Sequence, residues 1–321
     1  MADGLMTFDI SGKRIWVSGH TGLVGTALTA RLRLLGGELI TASHQELDLT
    51  NQQMTHDFVS AQRLDAVIIG AAVVGGIQAN AKFPTRFLQD NLQISTNIIS
   101  ASHAADVTKL VFLGSSCIYP RLADQPVSEA SLLTGPLEPT NEWYAISKIA
   151  GLKLCQAYRQ EFGADFITAI PANLYGPGDN FDPDSGHVVS ALINRIHQAR
   201  LAQTPFVEIW GSGNPTRDFF YVDDCIDGLI HVLKHYFAAE PINMGTGREV
   251  SIRELAQTIS EVIGYEGDLV YDSSKPDGMP RKILDTSRIN AMGWQSKTDL
   301  RSGLDMTYQW FLENVNYGKP E

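Results

Sequence analysis

Short apolar runs alternate with longer helix-like stretches through the first half of the chain. The runs occupy positions 14–18, 38–41, 65–69, 109–113 and 165–170. Apolar segments of this length, separated by helices, are typical of strands that are buried on both faces of a parallel sheet. The pattern therefore predicts βαβ units and an α/β fold with a mostly parallel sheet.

The second half of the chain has a less regular pattern. Glycine and proline become dense after Tyr175, and the segment Ser251-Ile-Arg-Glu254 has the signature of a capping box that opens a helix. We expect residues 1–175 to form the larger domain, and residues 176–321 to form mainly a smaller α/β substrate-binding domain at the carboxyl edge of the sheet. Some of the later segments are expected to return to the first domain.

A glycine-rich loop follows the first strand and opens the first helix. Its sequence is Gly19-His-Thr-Gly22-Leu-Val-Gly25, and Gly36-Gly37 ends the helix. Glycines let such a loop turn sharply and let a pyrophosphate approach the backbone, while free N–H groups at the helix N-terminus bind its charge. A turn without a ligand is the simpler alternative, but the position between strand and helix favours a doubly wound Rossmann fold with a dinucleotide site. The predicted contacts are Gly19, Thr21, Gly22, Leu23, Val24 and Gly25.

The composition narrows the possible partners. The chain has 321 residues and a formal net charge of −11, which disfavours nucleic acids and anionic membranes. Its three cysteines, Cys117, Cys155 and Cys225, are too few and too far apart for a disulfide framework or a zinc ribbon. We therefore expect a reducing cytoplasm and no bound metal. The longest apolar run, at positions 66–77, is too short to span a bilayer.

A tyrosine and a lysine lie four residues apart in the helix-like stretch 143–162. At this spacing Tyr144 and Lys148 lie on one helical face. An ammonium group beside a phenol lowers the pKa of the phenol, and a tyrosine tuned in this way can give a proton to a developing alkoxide. Ser115 follows the strand 109–113, at the edge where a parallel sheet binds its ligands. A surface Tyr/Lys pair without function is the alternative, and the spacing alone favours it.

Together these features resemble the extended short-chain dehydrogenase/reductase family, and within it the enzymes that act on GDP-linked 4-keto sugars. The resemblance covers the chain from Val17 to about Asn314. The segments that carry it are Gly114-Ser-Ser-Cys-Ile-Tyr-Pro120, Glu138-Pro-Thr-Asn-Glu-Trp-Tyr-Ala-Ile-Ser-Lys148, Pro171-Ala-Asn-Leu-Tyr-Gly-Pro177, Asp179-Asn-Phe181, His187-Val, Trp210-Gly-Ser-Gly, Arg217-Asp-Phe and Lys275-Pro-Asp-Gly-Met-Pro-Arg-Lys282.

The resemblance implies an activity and a catalytic set. The activity is 3,5-epimerisation and then NADPH-dependent 4-reduction of GDP-4-keto-6-deoxy-D-mannose to GDP-L-fucose. Cys117 and His187 would be the acid/base pair of the epimerisation. Tyr144 and Ser115 would donate hydrogen bonds to the C4 oxygen, and Lys148 would hold the nicotinamide ribose. The alternatives are a buried structural cysteine and a surface histidine.

The binding residues are also implied by the resemblance. NADP is the expected cofactor, held by the glycine loop and by His44, Asp48, Leu49, Ala71, Tyr144, Lys148, Pro171, Asn173 and Leu174. The expected contacts of the GDP-sugar are Ser115, Cys117, Asn173, His187, Arg195, Trp210, Arg217 and Lys282. Asp48 has the alternative of a turn that caps the next helix, and each basic residue that of a solvated surface charge. A homodimer through the helices beside the Tyr/Lys helix is expected from the family.

Two departures from the family pattern concern the cofactor. Thr21 stands where members often carry an arginine, and the segment Thr41-Ala-Ser-His-Gln45 has no fixed positive charge for a 2′-phosphate. An acidic residue that would favour NAD is not directly at the strand end, because Glu46 and Asp48 come slightly later. NADP stays the expectation and NAD is not excluded. We expect a modest preference for NADP, to which a protonated His44 contributes.

Two other functions are compatible with the same residues. The first is the 4-reduction, with or without epimerisation, of another GDP-linked keto-sugar such as a heptose or a colitose precursor. The second is a non-catalytic, cofactor-sensing protein on the same fold, since a fold does not fix a function. The presence of Ser115, Tyr144 and Lys148 together disfavours the second.

Overall fold

The structure is a computed structural model that describes residues 7–183, 185–275 and 277–315. Its strands are β1 (Arg14–Ser18), β2 (Glu38–Ile40), β3 (Ala66–Ile69), β4 (Lys109–Leu113), β5 (Asp165–Pro171), β6 (Asn173–Tyr175), β7 (Phe206–Trp210), β8 (Thr216–Arg217), β9 (Phe219–Tyr221), β10 (Ile242–Met244), β11 (Val250–Ser251), β12 (Asp268–Asp272) and β13 (Arg281–Lys282). Its helices are α1 (Leu23–Leu34), α2 (Gln52–Gln62), α3 (Ile77–Lys82), α4 (Pro84–Ala104), α5 (Glu142–Phe162), α6 (Val188–Leu201), α7 (Val222–His235), α8 (Ile252–Ile263), α9 (Ser287–Ala291) and α10 (Leu300–Asn314).

Six parallel strands form the central sheet, in the order β10-β5-β4-β3-β1-β2. The chain passes from β1 to its neighbour β2, and then crosses back to β3 on the other side of β1. Because such crossovers are right-handed, α1 and α2 cover opposite faces of the sheet. This is the predicted doubly wound fold, and its direction of winding changes between β1 and β3.

The strands are apolar because helices cover both faces of the sheet. Every position of β3 and β4 is buried, including Lys109, whose ammonium group donates to Asp165 at 2.7 Å and to the Tyr236 carbonyl at 2.8 Å. α1 packs on α7, and α4 packs on α2 and α5. The main hydrophobic core therefore lies in two layers, one on each side of the sheet.

A second hydrophobic core lies in the C-terminal half. It is built on α6, α8 and α10, with Ile193, Ile259 and Phe311 among its buried side chains. The strand pairs β7–β12 and β6–β9 and the three-stranded sheet β11-β8-β13 belong to this half. α7 and β10, which also follow residue 175, instead pack into the main core through Ile226 and Met244. The domain boundary at residues 175 and 176 stays a prediction.

The sequence predictions for the local structure are confirmed in their main lines. The five predicted strands differ from β1–β5 by no more than one residue at either end, whereas β10 was not predicted. Ser251 caps α8 through a hydrogen bond from the Glu254 N–H at 3.0 Å, as the capping box requires. None of the helices in the described part of the chain combines the length and the apolar character of a membrane span.

Candidate active site

The glycine-rich loop closes the turn between β1 and α1, at the point where the sheet changes direction. Gly19 has a φ of +75°, and a Cβ there would lie 2.7 Å from the backbone nitrogen of Ala71, so only glycine fits. A Cβ on Gly25 would collide with the Gly19 carbonyl oxygen. Gly22 is different, because a Cβ there would meet only the Gly19 carbonyl oxygen, at 3.6 Å. The loop is therefore held tight against β3 but leaves open space over Gly22.

The N-terminus of α1 fits a dinucleotide pyrophosphate. Gly22 is the N-cap residue and supplies no side-chain hydrogen bond to the first turn. The N–H groups of Leu23, Val24 and Gly25 have no acceptor within the helix, and the helix dipole makes them an anion-binding site. Thr21 is exposed beside them. The loop residues that the sequence predicted as cofactor contacts thus form one surface.

Two predicted site residues lie just beyond β4. Ser115 has an extended backbone, and its Oγ accepts a hydrogen bond from the Cys117 N–H at 3.3 Å. This bond starts the short 3₁₀ turn Ser116–Ile118, which packs against α5. Both Ser115 and Cys117 are half-buried there. The turn therefore presents a hydroxyl and a thiol at the carboxyl edge of the sheet.

The first turns of α5 bring Tyr144 and Lys148 to the same edge. Lys148 is buried, and its Nζ donates to the carbonyl of Leu113 at 2.9 Å, 5.8 Å from the centre of the Tyr144 ring. Leu113 ends β4, so Lys148 ties the helix to the strand end that carries Ser115. Burial lowers the pKa of Lys148 to about 8. The predicted set of serine, tyrosine and lysine thus converges at one place.

The predicted lowering of the Tyr144 pKa is wrong. Burial raises the pKa of Tyr144 far above its usual range, and the charge of Cys117 raises it further, while the nearby Ser115 hydroxyl acts in the opposite direction. Burial is the largest effect, and Lys148, whose Nζ lies 5.8 Å from the centre of the Tyr144 ring, does not offset it. Tyr144 therefore keeps its proton at neutral pH, which suits a donor to a developing oxyanion.

Cys117 lies between two donors from distant parts of the chain. The amide Nδ2 of Asn141 donates to its Sγ at 3.2 Å, and the Nζ of Lys282 donates at 3.4 Å. Burial acts to raise the pKa of Cys117, but the charge of Lys282, the Ser115 hydroxyl and the more distant Arg217 outweigh it and lower the pKa. This environment favours a thiolate, which is the nucleophilic and basic form of cysteine.

The thiolate environment predicts selective alkylation. At neutral pH we expect iodoacetamide to modify Cys117 in preference to Cys155 and Cys225, because burial raises the pKa of both. The substitution Lys282→Gln should slow the reaction at Cys117 by about tenfold, the effect of one pKa unit on the thiolate fraction. Mass spectrometry of peptides from timed samples measures each rate, with Lys153→Gln on the exposed face of α5 as the control. An equal rate in the Lys282 variant would contradict the role given to its charge.

His187 lies on a different element from Cys117. It is exposed and is the N-cap residue of α6. Its charged neighbour is Asp179, whose pKa is raised by burial, while the hydrogen bond from Ser190 and the charge of His187 act in the opposite direction. Within the described residues no hydrogen bond or ion pair joins His187 to Cys117. The structure thus places the two acid/base candidates on separate elements without a direct contact.

Two basic residues flank an exposed tryptophan on β7. The Arg195 guanidinium and the Lys275 ammonium each lie 5.6 Å from the centre of the Trp210 ring. Trp210 is 49% exposed, although it ends a strand of the second core. An exposed indole between two cations can stack on a base and attract a diphosphate. The structure thus brings together two of the predicted substrate contacts, Arg195 and Trp210, with Lys275 beside them; their binding roles stay predictions.

The other two predicted basic contacts are neighbours on a small sheet. Arg217 in β8 is paired with Lys282 in β13, in parallel register. Lys282 reaches Cys117, and Arg217 donates to the Thr216 carbonyl at 2.8 Å. Asn173 begins β6, and its Nδ2 donates to the Asp218 carbonyl at 3.1 Å. Arg217 and Lys282 thus place positive charge beside the catalytic candidates.

The other predicted cofactor contacts lie along the remaining strand ends. His44 is exposed in the turn after β2. Asp48 accepts hydrogen bonds from the N–H and the hydroxyl of Thr50, at 2.9 and 2.7 Å, and so forms the turn that was its alternative interpretation, while Asn51 caps α2. The others lie on neighbouring elements, with Leu49 after this turn, Ala71 after β3, Pro171 at the end of β5, and Asn173 and Leu174 in β6.

The sequence analysis missed Asn141 and Lys275. Asparagine before a helix is usually a cap, but the Asn141 side chain makes no capping bond and donates to Cys117 instead. Its Oδ1 is buried without a hydrogen-bond partner in the described part of the chain. Both residues lie in segments that carry the family resemblance, but neither was singled out as a site residue. Contacts of this kind join segments that are distant in sequence, which spacing cannot reveal.

The fold and the site together define the class of protein. A doubly wound parallel sheet carries a glycine loop at its switch point, and a serine, a tyrosine and a lysine meet at a neighbouring strand end, which is the arrangement of a dinucleotide-dependent enzyme. The model of the NAD dependent epimerase/dehydratase family matches residues 15–245. The chain belongs to this family.

The chain is similar over nearly its full length to enzymes of GDP-linked sugars. The GDP-L-fucose synthase of Sinorhizobium fredii is 54% identical over 306 residues, which are 95% of this chain and 98% of that protein. The crystal structure of a GDP-L-fucose synthetase from Naegleria fowleri bound to NADP is 28% identical, with a TM-score of 0.89 over 96% of this chain and 97% of that one. A GDP-6-OMe-4-keto-L-xylo-heptose reductase from C. jejuni is 32% identical, with a TM-score of 0.89 over 94% and 98% of the two chains.

Proposed function

We propose that this enzyme converts GDP-4-keto-6-deoxy-D-mannose into GDP-L-fucose, by epimerisation at C3 and C5 and then NADPH-dependent reduction at C4. The observation that carries the proposal is the convergence of Ser115, Tyr144 and Lys148 with the activated thiol of Cys117 at the end of β4. The likeness to the Sinorhizobium fredii enzyme, 54% identical over 95% of this chain, supports this choice of substrate.

The epimerisation needs an acid and a base on opposite faces of the sugar. A ketone at C4 makes the C3 and C5 protons acidic, because the resulting carbanion is delocalised into an enolate. The thiolate of Cys117 would take a proton from one face, and His187 would deliver a proton to the other. The two residues lie on separate elements, after β4 and at the start of α6, as two groups that act on different faces require.

The C4 oxygen would be held by two hydroxyl donors. Tyr144, protonated because its pKa is raised by burial, and Ser115 would donate hydrogen bonds to the enolate oxygen. In the later reduction Tyr144 would give its proton to the C4 alkoxide. The nicotinamide, when bound, supplies the hydride. Lys148 would bind the nicotinamide ribose, and the open N-terminus of α1 would bind the pyrophosphate.

The GDP moiety requires positive charge and an aromatic surface. Arg195 and Trp210 would bind the guanine and the diphosphate, because the exposed indole offers a stacking face beside a cation. Arg217 and Lys282 would orient the sugar or its phosphate next to Cys117. Asn173, at the start of β6, is a further proposed contact.

A 4-reductase of another GDP-linked keto-sugar is the second candidate, because the C. jejuni heptose reductase is 32% identical over 94% of this chain. The two functions differ in whether C3 and C5 are inverted. Purified protein is incubated with GDP-4-keto-6-deoxy-D-mannose and NADPH in D₂O, and the product is identified by NMR. We expect GDP-L-fucose with deuterium at C3 and C5. A 4-reduced sugar with both centres unchanged and no deuterium would favour the reductase.

The cellular setting and the assembly are part of the same proposal. All three cysteines have free thiols, which is compatible with a reducing cytoplasm. A homodimer would use the helices beside α5, and α5 itself presents the apolar side chains of Trp143 and Ile146 to solvent. Size-exclusion chromatography with light scattering tests this assembly, and a monomeric mass would contradict it.

A further inference from the structure

The carboxyl ends of β1, β2 and β3 lack fixed positive charge. No lysine or arginine occurs at positions 15–30, 34–62 or 70–81, which include the loops after these three strands. In a dinucleotide-binding sheet the adenosine ribose lies at the end of the second strand. There an arginine accommodates the 2′-phosphate of NADP, or an acidic residue binds the free 2′-hydroxyl of NAD. This chain has no arginine or lysine in the segment that would meet a 2′-phosphate.

The turn after β2 holds a carboxylate instead. The N–H and the hydroxyl of Ser43 donate to one oxygen of Glu46, at 2.8 and 2.7 Å. These two bonds, with a smaller effect of the charge of His20, lower the pKa of Glu46, so that it stays ionised. Asp48 lies two residues further on, and hydrogen bonds from Thr50 lower its pKa as well. The local charge is therefore negative where a 2′-phosphate would add more negative charge.

Arg33 and Arg63 lie at the other edge of the sheet, whereas Lys82 at the end of α3 and Arg86 in the first turn of α4 come after β3, and Arg86 faces Asp90 at 3.7 Å. α1 and α2 run antiparallel to the strands, so Arg33 in the last turn of α1 and Arg63 after α2 lie near the amino ends of the strands. Arg14, at the start of β1, is paired with Glu38 at the start of β2. The histidines beside the turn are His20 and His44, in the loops after β1 and β2, and neither carries a permanent charge.

We propose that the adenosine end of this site does not select the 2′-phosphate, so that the enzyme binds NADH about as tightly as NADPH. The inference rests on the proposed use of a nicotinamide dinucleotide, but it concerns only the residues that face the 2′ position. Glu46 tolerates a free 2′-hydroxyl, with which its second carboxylate oxygen can form a hydrogen bond, and it repels a phosphate there. The remaining contacts, at the glycine loop and Lys148, are common to both dinucleotides.

Calorimetric titration of the purified protein, without sugar, measures both affinities directly. At about pH 8 we expect the dissociation constants of NADPH and NADH to agree within about fivefold, the range of one weak surface charge interaction. A preference for NADPH of more than about thirtyfold would overturn the proposal, because selection of that size needs charge-assisted bonds to the phosphate. If neither dinucleotide binds, the proposed function fails as well, so the two failures are distinguishable.

A variant with a permanent positive charge in the turn after β2 provides a second test of the proposal. His44→Arg places a permanent guanidinium in the turn after β2, and we expect it to tighten NADPH by about tenfold or more while leaving NADH unchanged. Gln160→Arg adds the same charge at an exposed position in the last turn of α5 and should change neither affinity. An equal gain for both dinucleotides in the His44 variant would show a general charge effect and would overturn the assignment of this turn to the 2′ position.

Discussion

Replacement of Tyr144 by phenylalanine should lower the rate of C4 reduction by about 10²–10⁴-fold, the usual loss when a positioned general acid is removed. The substitution removes only the hydroxyl and keeps the ring that packs edge-on against Phe87, at 6.4 Å between ring centres. The fold should survive for that reason. Oxidation of NADPH, followed by absorbance with the GDP-keto-sugar in excess, measures the rate.

The control for this variant lies on the same helix. Tyr158 is also in α5, but its ring packs among His103, Phe162 and Phe166, away from the strand end that carries Ser115. Tyr158→Phe should therefore keep near-normal turnover. Thermal unfolding of both variants separates loss of chemistry from loss of fold. A Tyr144 variant that folds and still reduces the sugar at the normal rate would exclude tyrosine as the proton donor.

Much of the fold could be predicted from the sequence because the central strands are buried on both faces. β3 and β4 each hold a run of four apolar residues, preceded in β4 by Lys109, with helical stretches around them, so their pattern has few other interpretations. β10 has only three residues, between Pro241 and Gly245, and such a short run gives no periodic signal. Its place beside β5 depends on tertiary packing, which also returns α7 to the main core.

The sequence predicts which residues form the site better than it predicts how their pKa values shift. The spacing of Tyr144 and Lys148 places them on one face of α5, as found, but it does not say where the ammonium group points. In the structure the ammonium group donates to the Leu113 carbonyl. Burial of the phenol raises the pKa of Tyr144. Burial is a property of the folded chain, so the sign of the shift could not be obtained from an i,i+4 pair.

The environment of Cys117 could not be predicted for a related reason. Lys282 lies 165 residues further along the chain, and it reaches the thiol only because β13 pairs with β8. Asn141 lies 24 residues from Cys117 and looks like a helix cap in the sequence. Both contacts follow from the way in which the C-terminal half packs over the carboxyl edge of the sheet. Family resemblance pointed to the thiol, whereas only the structure gives the physical cause of its lowered pKa.

Variants of the two acid/base candidates should separate epimerisation from reduction. Reduction at C4 needs a hydride donor, Tyr144 and Ser115, and has no chemical need for Cys117 or His187. Cys117→Ser keeps the shape but replaces the thiol by a far weaker acid, and His187→Asn leaves a polar group that carries no proton at neutral pH. Each variant should lose inversion at C3 or C5 by about 10²–10⁴-fold while reduction persists to a greater extent.

The measurement is deuterium incorporation in D₂O, with NMR of the product. Wild-type protein should place deuterium at C3 and C5, whereas either variant should incorporate less and release some 4-reduced sugar with unchanged configuration at one or both centres. Cys155→Ser, at a buried thiol within α5, and His56→Asn, at an exposed position of α2, are the matched controls and should behave as wild type.

The outcome discriminates between the two candidate functions because proton abstraction needs a basic group such as the Cys117 thiolate, whose pKa is lowered, whereas reduction at C4 does not. A simple 4-reductase has no reason to hold a thiol between Asn141 and Lys282, and its rate should not depend on that thiol. If the Cys117 and His187 variants reduce and invert the sugar as wild type does, the acid/base assignment is wrong. If wild-type protein itself reduces the GDP-keto-sugar without taking up deuterium, the enzyme is a reductase alone, and the environment of Cys117 serves substrate binding instead.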